Sequence, residues 1–373
     1  MVAIGTGLAL ALSAAFVPVA ATTPSKLQRA IDALVARSDG PPGAIVVVQR
    51  GGERRVFRAG VADVRSGEPI EVDDHMRIAS VSKAFSGAMA LSLVAKGTLD
   101  LDDTVGEWRP DVPVEWSSIT LRQLLNHTSG IPDFSNEQAF IDALLASLRV
   151  APPPVELLSY IEDPTPLFTP GTDYAYSNSD NIIVALIVES ATGRRYARAM
   201  ARELDGPLGL VDTSLPKGPA LPRPYVHGYD VEDPSAPEDV SRLFAAGWTF
   251  SSGGVVSTAA DLTRFVRGYV SGRETDNATR REQFRFVEGG SSEPPGPGRN
   301  SAGLGLFRYE TRCGTVYGHT GNTPGYTQFI AATADGRRSV TVSINAQINP
   351  DTNPKRFRQL QRLYETAVCA ALR

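Results

Sequence analysis

The sequence predicts an α/β fold of the α+β type. An antiparallel sheet is expected from both ends of the chain, flanked by N- and C-terminal helices, with a mostly helical lobe inserted between them. Three observations lead to this prediction. A helix pattern and a hairpin pattern open the chain, the middle is typical of helices, and the last third contains four short strand-like runs before a closing helix.

The N-terminal elements are indicated by residue spacing. Apolar residues recur at helical spacing from Leu27 to Val35, and Gly40 marks the end of that helix. Two β-rich runs then flank Gly51 and Gly52, which predicts a hairpin over residues 43–64. These elements place the start of the chain in the sheet.

Helices and strands divide the rest of the chain. Four helices are expected in the middle: Ser82 to Lys96 before Gly97, a short one opening at Thr120, a buried one over 180–193, and one capped by Thr258 and closed by Gly272. The runs 303–309, 315–319, 326–333 and 338–345 predict strands, and Pro354 opens the closing helix. Pro/Gly-rich stretches near 216–238 and 287–299 predict surface loops.

Composition excludes several functions. The 373 residues are 42% hydrophobic and 21% charged, with a formal net charge of -4, so a globular chain is expected, with room for one large domain or two closely packed ones. A nucleic-acid partner is not expected, since such a surface would show a basic excess. The sequence also has no block of Lys and Arg residues of the kind that binds an anionic membrane surface.

The N-terminus predicts export. Residues 2–21 are apolar or small, and Val19-Ala20-Ala21 is a plausible cleavage site, so residues 1–21 are predicted to be a signal peptide. No Lys or Arg precedes the apolar run, and a retained membrane anchor is the alternative. After cleavage we expect a secreted protein, either free or associated with the cell wall, without stable membrane insertion.

The expected state of the two cysteines, Cys313 and Cys369, depends on the predicted export. In an exported protein an even pair favours a disulfide. Chain entropy would then contribute about 4 kcal/mol to stability. The alternative, two free buried thiols, applies if the protein stays in the cytosol.

The stretch "RIASVSKAFSG" pairs a hydroxyl with an amine. Ser80 and Lys83 are three residues apart, and on a helix this spacing places both side chains on one face. An adjacent amine can take the proton of a serine nucleophile. The signal is weak alone, because Ser214 and Lys217 repeat the spacing in a Pro-containing loop.

Two further motifs lie downstream. Tyr176-x-Asn178 falls in "YSNSDN", and His319-Thr320-Gly321 falls in "YGHTGNTPGY". Gly321 would allow a close approach to a strand, and His319 can stabilise charge or move protons. The four histidines form no metal-binding pattern, so no metal is expected.

The three motifs together resemble the penicillin-recognising serine hydrolases, which include class C β-lactamases, D-Ala-D-Ala carboxypeptidases, and related esterases and D-aminopeptidases. Flanking stretches such as "ITLRQLLNHTSGIPDF" and "SSGGVVSTAADLTRF" agree. The likeness covers residues 27–370 and is strongest to the secreted Streptomyces-type carboxypeptidases, which have a similarly placed cysteine pair. It implies a β-lactamase/transpeptidase-like fold, a small-molecule or peptide substrate, inhibition by β-lactams, and no cofactor.

The resemblance also implies roles for individual residues. Ser80 would be the acylated nucleophile, activated by Lys83, with Tyr176 relaying protons and His319 standing where many relatives have Lys. The substrate would be bound by Asn178, Thr320, Gly321 and Asn322, and the backbone N–H groups of Ser80 and Asn322 would form the oxyanion hole. Trp248 matches an aromatic residue of the active-site wall, with a core tryptophan as the alternative.

Phe307 departs from the Streptomyces-type pattern, in which an arginine after Gly-Leu-Gly-Leu binds the terminal carboxylate of the substrate. Arg308 follows, but strand alternation turns it to the opposite face. The first hypothesis is therefore hydrolysis of D-Ala-D-Ala-like peptides, and the alternative is an esterase, D-amino-acid amidase or D-aminopeptidase. A penicillin-binding sensor without enzymatic activity is the third hypothesis.

"YSNSDN" also contains Ser179-Asp180-Asn181, a triplet that class A β-lactamases use in catalysis. The chain lacks the accompanying Lys-Thr-Gly. We therefore expect Ser179 or Asp180 to cap the following helix, while Tyr176 and Asn178 face the substrate.

Overall fold

The computed structural model describes residues 25–233 and 235–373, so the predicted signal peptide lies outside the described residues. The helices are α1 Lys26–Val35, α2 Ser82–Ala95, α3 Val105–Trp108, α4 Leu121–Leu125, α5 Gln138–Ala146, α6 Asn178–Thr192, α7 Tyr196–Met200, α8 Gly206–Leu208, α9 Phe250–Gly253, α10 Ala259–Ser271, α11 Asn277–Gln283 and α12 Pro354–Leu372. The strands are β1 Gly43–Arg50, β2 Glu53–Gly60, β3 His75–Arg77, β4 Tyr229–Asp230, β5 Glu238–Asp239, β6 Val256–Thr258, β7 Val287–Glu288, β8 Arg299–Ala302, β9 Phe307–Thr311, β10 Gly314–Thr323, β11 Tyr326–Ala332 and β12 Arg338–Ile344.

The main sheet has eight strands in the order β2-β1-β12-β11-β10-β9-β8-β7, and all neighbours are antiparallel. Strand β1 pairs with β12, for example Val46 with Val342, so strands from the two ends of the chain lie side by side within the sheet, next to the edge strand β2. The predicted fold class is confirmed.

Helices cover both faces of this sheet. The terminal helices α1 and α12 pack against each other and against the sheet, with Leu34, Phe329 and Leu360 in their shared core. Helix α10 packs on β11 and β12 from the other side. The central strands are therefore buried on both faces, which explains why β1 and β11 are buried at nearly every position rather than at alternate ones.

The inserted lobe is built around α2, which contacts α6, α9 and α11. Nearly every residue of α2 is buried, because small residues such as Ala84, Gly87 and Ala88 allow close packing on all sides. Its partner α6 is buried over most of its length in the same way. The first motif thus begins a helix that the rest of the lobe holds fixed.

Local predictions were mostly confirmed. Thr258 accepts a hydrogen bond from Asp261 N (3.1 Å), Thr120 forms a capping box with Gln123, and Gly272 closes α10 with a φ of 74°. Cys313 and Cys369 form the predicted disulfide, which joins the start of β10 to α12. Across the described residues, no helix is long and apolar enough to cross a membrane.

The strand predicted over residues 303–309 was wrong in its first half. Strand β9 begins at Phe307, and residues 303–306 form a turn in which Gly305 takes a φ of 66°. A Cβ on Gly305 would lie 2.7 Å from the Cα of Gly87 in α2. The glycines therefore serve the contact between the sheet and the lobe rather than a strand.

Candidate active site

Ser80 lies in a short 3₁₀ turn, Ala79–Val81, that joins β3 to α2. Ala79 takes a positive φ of 51°, a conformation that is strained for a residue with a Cβ. Ala79 and Val81 are buried, whereas Ser80 is partly exposed. The turn therefore exposes one hydroxyl group at the start of a buried helix.

Lys83 lies in the first turn of α2 with its amine buried below Ser80. Its Nζ atom is 3.0 Å from Ser80 Oγ. It is also 2.6 Å from Asn178 Oδ1 and 2.8 Å from the carbonyl oxygen of Ser252. Burial lowers the pKa of Lys83 to about 7, although nearby carboxyl groups act in the opposite direction. A large fraction of the protein therefore carries a neutral amine near neutral pH.

The neighbours of Lys83 orient this neutral amine. It has two N–H bonds and one lone pair. The oxygens of Asn178 and Ser252 can only accept hydrogen bonds, so the two N–H groups point to them. The lone pair then faces the Ser80 hydroxyl, which is the geometry of a general base beside a nucleophile.

Asn178 and Tyr176 come from the start of α6. The Asn178 side chain donates from Nδ2 to Asp133 Oδ2 (2.9 Å) and to Ser135 Oγ (3.0 Å), which turns its Oδ1 atom towards Lys83. The Tyr176 hydroxyl is buried and makes no hydrogen bond within the described ranges. Burial raises its pKa well above the usual value, and the nearby Ser80 hydroxyl acts in the opposite direction.

The prediction that Ser179 or Asp180 caps α6 was wrong. The helix begins at Asn178, and its first N–H is bound by Asp133 Oδ2 at 3.0 Å, from a distant loop. Ser179 donates to Pro132 O (2.6 Å) and accepts from Phe134 N (3.0 Å), while Asp180 is buried inside the first turn. These side chains point into the lobe because a neighbouring segment already supplies the cap.

The third motif lies on β10 where this strand extends beyond its pairing with β9, which ends at Gly318. His319 is buried, and its Nδ1 lies 2.6 Å from the Thr320 carbonyl oxygen, so Nδ1 carries the proton. Burial lowers the pKa of His319 to about 3, so the ring is neutral. Thr320 Oγ1 donates to Pro294 O (2.7 Å), and Gly321 packs against the turn that carries Ser80.

Asn322 extends the same strand. Its side chain is engaged away from Ser80: Nδ2 contacts Ile348 O (3.2 Å) and Asn349 Oδ1, and Oδ1 accepts from Thr327 (3.0 Å). The predicted contribution of Asn322 is its backbone N–H, and that role stays a prediction.

Phe307 pairs with Gly318 at the start of β9 and is 2% exposed. Its ring contacts that of His319 edge-on at 5.0 Å and lies 6.4 Å from that of Tyr176. Arg308 lies on the opposite face, where it pairs with Glu288. An apolar ring therefore lies beside His319 and Tyr176, at the position where the Streptomyces-type pattern has an arginine.

Trp248 is 2% exposed and belongs to the core of the lobe. Its Nε1 donates to Ser147 O (3.0 Å), and its ring packs edge-on against Phe140 at 5.7 Å. The structure therefore supports the core alternative, not the active-site wall. The second Ser-x-x-Lys match is extended rather than helical, with Ser214 bridged to Val256.

Four further residues near the site were not singled out from the sequence. Asp133, Ser252 and His127 lie in the quoted stretches that resemble the family, and those stretches were the available signal. Glu293 lies in a Pro-rich stretch predicted as a surface loop, and its residue type gave no signal. Among the described residues no cluster of side chains is suited to hold a metal ion.

Comparison with known proteins places this geometry in a family. A family model described as Beta-lactamase matches residues 27–364. A D-stereospecific amidohydrolase from Streptomyces sp. is 30% identical, and its structure superposes with a TM-score of 0.77 over 92% of this chain and 98% of that one.

Curated relatives agree. A D-aminopeptidase of Cereibacter sphaeroides is 30% identical over 327 residues, which is 86% of this chain and 59% of that protein. Penicillin-binding protein 4* of Bacillus subtilis is 26% identical over 299 residues, which is 77% of this chain and 64% of that protein. The chain spans less than two thirds of the length of both relatives. With Ser80 beside a buried amine and a family model that matches almost the whole described chain, the protein belongs to the β-lactamase family.

Proposed function

We propose that this protein is a serine hydrolase and releases D-amino acids that carry a free amino group, from D-amino-acid amides or from the N-terminus of peptides. The acyl-enzyme forms on Ser80. The observation that carries this proposal is the charge around the site: Glu293 is a carboxyl group without an ion-pair partner in the described chain, and the carboxylate-binding arginine is replaced by Phe307.

The chemistry follows from the hydrogen bonds of Lys83. Ser80 Oγ attacks the carbonyl carbon of the substrate, and the Ser80 proton passes to the neutral amine of Lys83. The backbone N–H groups of Ser80 and Asn322 stabilise the oxyanion. When the C–N bond breaks, the Tyr176 hydroxyl donates a proton to the leaving nitrogen, and Lys83 returns a proton to Tyr176. Water then attacks the acyl-enzyme ester while the same groups transfer protons in the opposite direction, and Ser80 is released.

Glu293 is placed to select an amine. It is exposed, and its neighbour Pro294 accepts a hydrogen bond from Thr320 Oγ1 (2.7 Å), which fixes the loop to the third motif. Burial is the main cause of the pKa shifts of Lys83 and Tyr176, and the charge of Glu293 contributes to both. A carboxyl group whose charge acts on Lys83 and Tyr176 favours a substrate ammonium and disfavours a substrate carboxylate.

A substrate with a free C-terminal carboxylate would find no arginine to bind that group. A terminal carboxylate is bound best by a bidentate arginine. Arg308 is turned away and paired with Glu288, and Phe307 covers the corresponding position with a ring. Two relatives at 30% identity, a D-stereospecific amidohydrolase and a D-aminopeptidase, support the same choice and the D configuration of the substrate.

The direct test compares three substrates: D-phenylalanine amide, an N-acylated D-Ala-D-Ala peptide, and p-nitrophenyl acetate. We expect kcat/KM to be higher for D-phenylalanine amide than for the N-acylated D-Ala-D-Ala peptide. Glu293→Gln should raise KM for the amide about tenfold or more, because it removes a charge-assisted contact, and leave the ester within about twofold. Glu288→Gln, which alters an exposed carboxylate paired with Arg308, is the matched control and should change neither.

Hydrolysis of D-Ala-D-Ala-like peptides is the second candidate. D-alanyl-D-alanine-carboxypeptidase/endopeptidase AmpH of Escherichia coli is 30% identical over 61% of this chain. Faster turnover of the acylated peptide than of the amide would establish this candidate and refute our proposal. Phe307→Arg should shift the preference towards the acylated peptide, whereas Phe307→Leu, which keeps the site apolar, should not.

We also propose that the protein is exported. The disulfide between Cys313 and Cys369 supports this, because such bonds persist in oxidising compartments. Mass spectrometry of the culture medium should find a mature chain that begins near residue 22, and detection of only the full-length chain in cells would contradict export.

A further inference from the structure

His127 lies beneath the ring of Tyr176 and has no part in the mechanism above. It is buried, its φ is 59°, and its ring centroid is 4.7 Å from that of Tyr176. Histidine reaches this left-handed region more readily than most residues, but the conformation is still uncommon. A buried imidazole in a strained backbone next to a catalytic tyrosine requires an explanation.

The backbone on both sides of Tyr176 is bound by His127. The His127 carbonyl oxygen accepts from Ala175 N at 3.0 Å. Its Nδ1 atom accepts from Ser177 N at 3.4 Å. One residue therefore fixes the position before and the position after Tyr176 while its ring supports the phenol. Since the Tyr176 hydroxyl has no hydrogen bond of its own in the described chain, these contacts determine where it lies.

Asp180 orients the His127 ring. Its Oδ2 atom is 2.8 Å from His127 Nδ1, and its Oδ1 atom accepts from Ser129 Oγ at 2.5 Å. A backbone N–H can only donate, so the long contact from Ser177, at 3.4 Å, is a hydrogen bond in the tautomer whose Nδ1 carries no proton. In that tautomer the hydrogen between Asp180 and His127 belongs to the carboxyl group, and the shorter contact from Asp180 takes the larger share of the single Nδ1 lone pair. The Asp180 side chain is fully buried, which also favours its neutral form.

We propose that His127 and Asp180 are positioning residues for Tyr176 and form a neutral pair in which the carboxyl group holds the proton. Burial, the largest influence on both groups, raises the pKa of Asp180 and lowers that of His127 to about 3, in agreement with this arrangement. The proposal concerns the acylation machinery and holds whichever substrate the enzyme prefers.

Neutrality matters because of the charged groups around the pair. Lys83 and Asp133 are the charged groups that act on the His127–Asp180 pair. The other ionisable groups nearby are Tyr174, Tyr176, His319 and Glu293. An ionised Asp180 would favour the protonated form of Lys83 and remove the base that Ser80 needs. A carboxylic acid gives the same hydrogen bond to His127 without that charge.

A double-mutant cycle tests the positioning role, with kcat/KM for p-nitrophenyl acetate as the readout. Asparagine tolerates the left-handed conformation, so His127→Asn keeps the backbone and removes the ring. We expect His127→Asn to lower kcat/KM about 10- to 100-fold in the native background and less than about threefold in Tyr176→Phe. Additive losses would show that His127 does not act through Tyr176 and would overturn the proposal.

The location of the proton is tested at Asp180. Asp180→Asn can donate to His127 Nδ1 and accept from Ser129, as a neutral acid does, whereas Asp180→Ala can do neither. We expect Asp180→Asn to keep kcat/KM within about threefold, with an unchanged pH profile, and Asp180→Ala to lose about 30-fold or more. Thermal unfolding identifies variants that do not fold. If Asp180→Ala is one of them, Asp180→Asn decides alone, and a 30-fold loss in its folded protein refutes the neutral pair.

Discussion

Gly321 of β10 lies against the carbonyl oxygen of Ile78, so closely that a Cβ at residue 321 would be 2.4 Å from that oxygen. Ile78 is two residues before Ser80, and the same Cβ would lie 3.2 Å from the Ala79 Cβ. The glycine of the third motif is thus the contact that presses the sheet against the turn that carries the nucleophile. Ala79 keeps its positive φ within this contact.

We therefore expect Gly321→Ala to displace the Ser80 turn. kcat/KM for an ester should fall about 100-fold or more, and the melting temperature should fall, because backbone atoms rather than a flexible side chain must move. Gly52→Ala is the control, since a Cβ there meets open space, and it should leave both quantities unchanged. Wild-type activity in Gly321→Ala would refute the close contact.

The pH dependence of kcat/KM should follow Lys83. Its neutral form is the base and burial lowers its pKa to about 7, so activity should rise with pH and level off about one unit above this value. His127 and His319, both with pKa values of about 3, should not contribute to this rise. His319→Gln should therefore keep the inflection. A flat profile from about pH 6 to about pH 9 would exclude Lys83 as the titrating base.

Ser80 should carry the acyl group. Incubation with benzylpenicillin should add the mass of the intact β-lactam to the protein, and peptide mapping should find the adduct on Ser80. Ser80→Ala should abolish the adduct, whereas Ser214→Ala, at the second Ser-x-x-Lys match, should not. An adduct that persists in Ser80→Ala would move the nucleophile elsewhere.

Asp205 predicts a loss of stability in alkaline solution. It ends a π-helical segment, Ala201–Asp205, its Oδ1 atom has no hydrogen bond among the described residues, and burial raises its pKa to about 7. The folded protein therefore binds a proton that the unfolded chain, with a pKa of about 3.9, has released. This contribution is complete below about pH 4 and is lost as the pH rises through about 7.

Urea unfolding at about pH 5 and about pH 8 checks the prediction for Asp205. Asp205→Asn should be close to wild type at the lower pH and more stable than wild type at the higher one. Comparison with Asp205→Asn isolates this group from Lys83, whose lowered pKa has the opposite effect. An identical pH dependence in the two proteins would contradict the prediction.

The sequence by itself determined most of the elements and predicted that Ser80 and Lys83 lie together, whereas the predicted role of Tyr176 came from the family resemblance. Apolar spacing located α1 and α10, caps such as Thr258 and Gly272 marked their ends, and Ser80 with Lys83 predicted a nucleophile beside a base. These features depend on contacts within a few residues along the chain, and local patterns report such contacts well.

Only the tertiary structure decided the features that depend on distant partners. Asp133, from another loop, caps α6, so Ser179 and Asp180 were free to turn into the lobe, and the predicted cap was wrong. The glycines at residues 303 and 305 pack against other elements of the chain, Gly305 against Gly87 of α2, and Trp248 fills the core. Which side chain satisfies a buried polar group is settled by three-dimensional proximity, and residue type alone does not specify that partner.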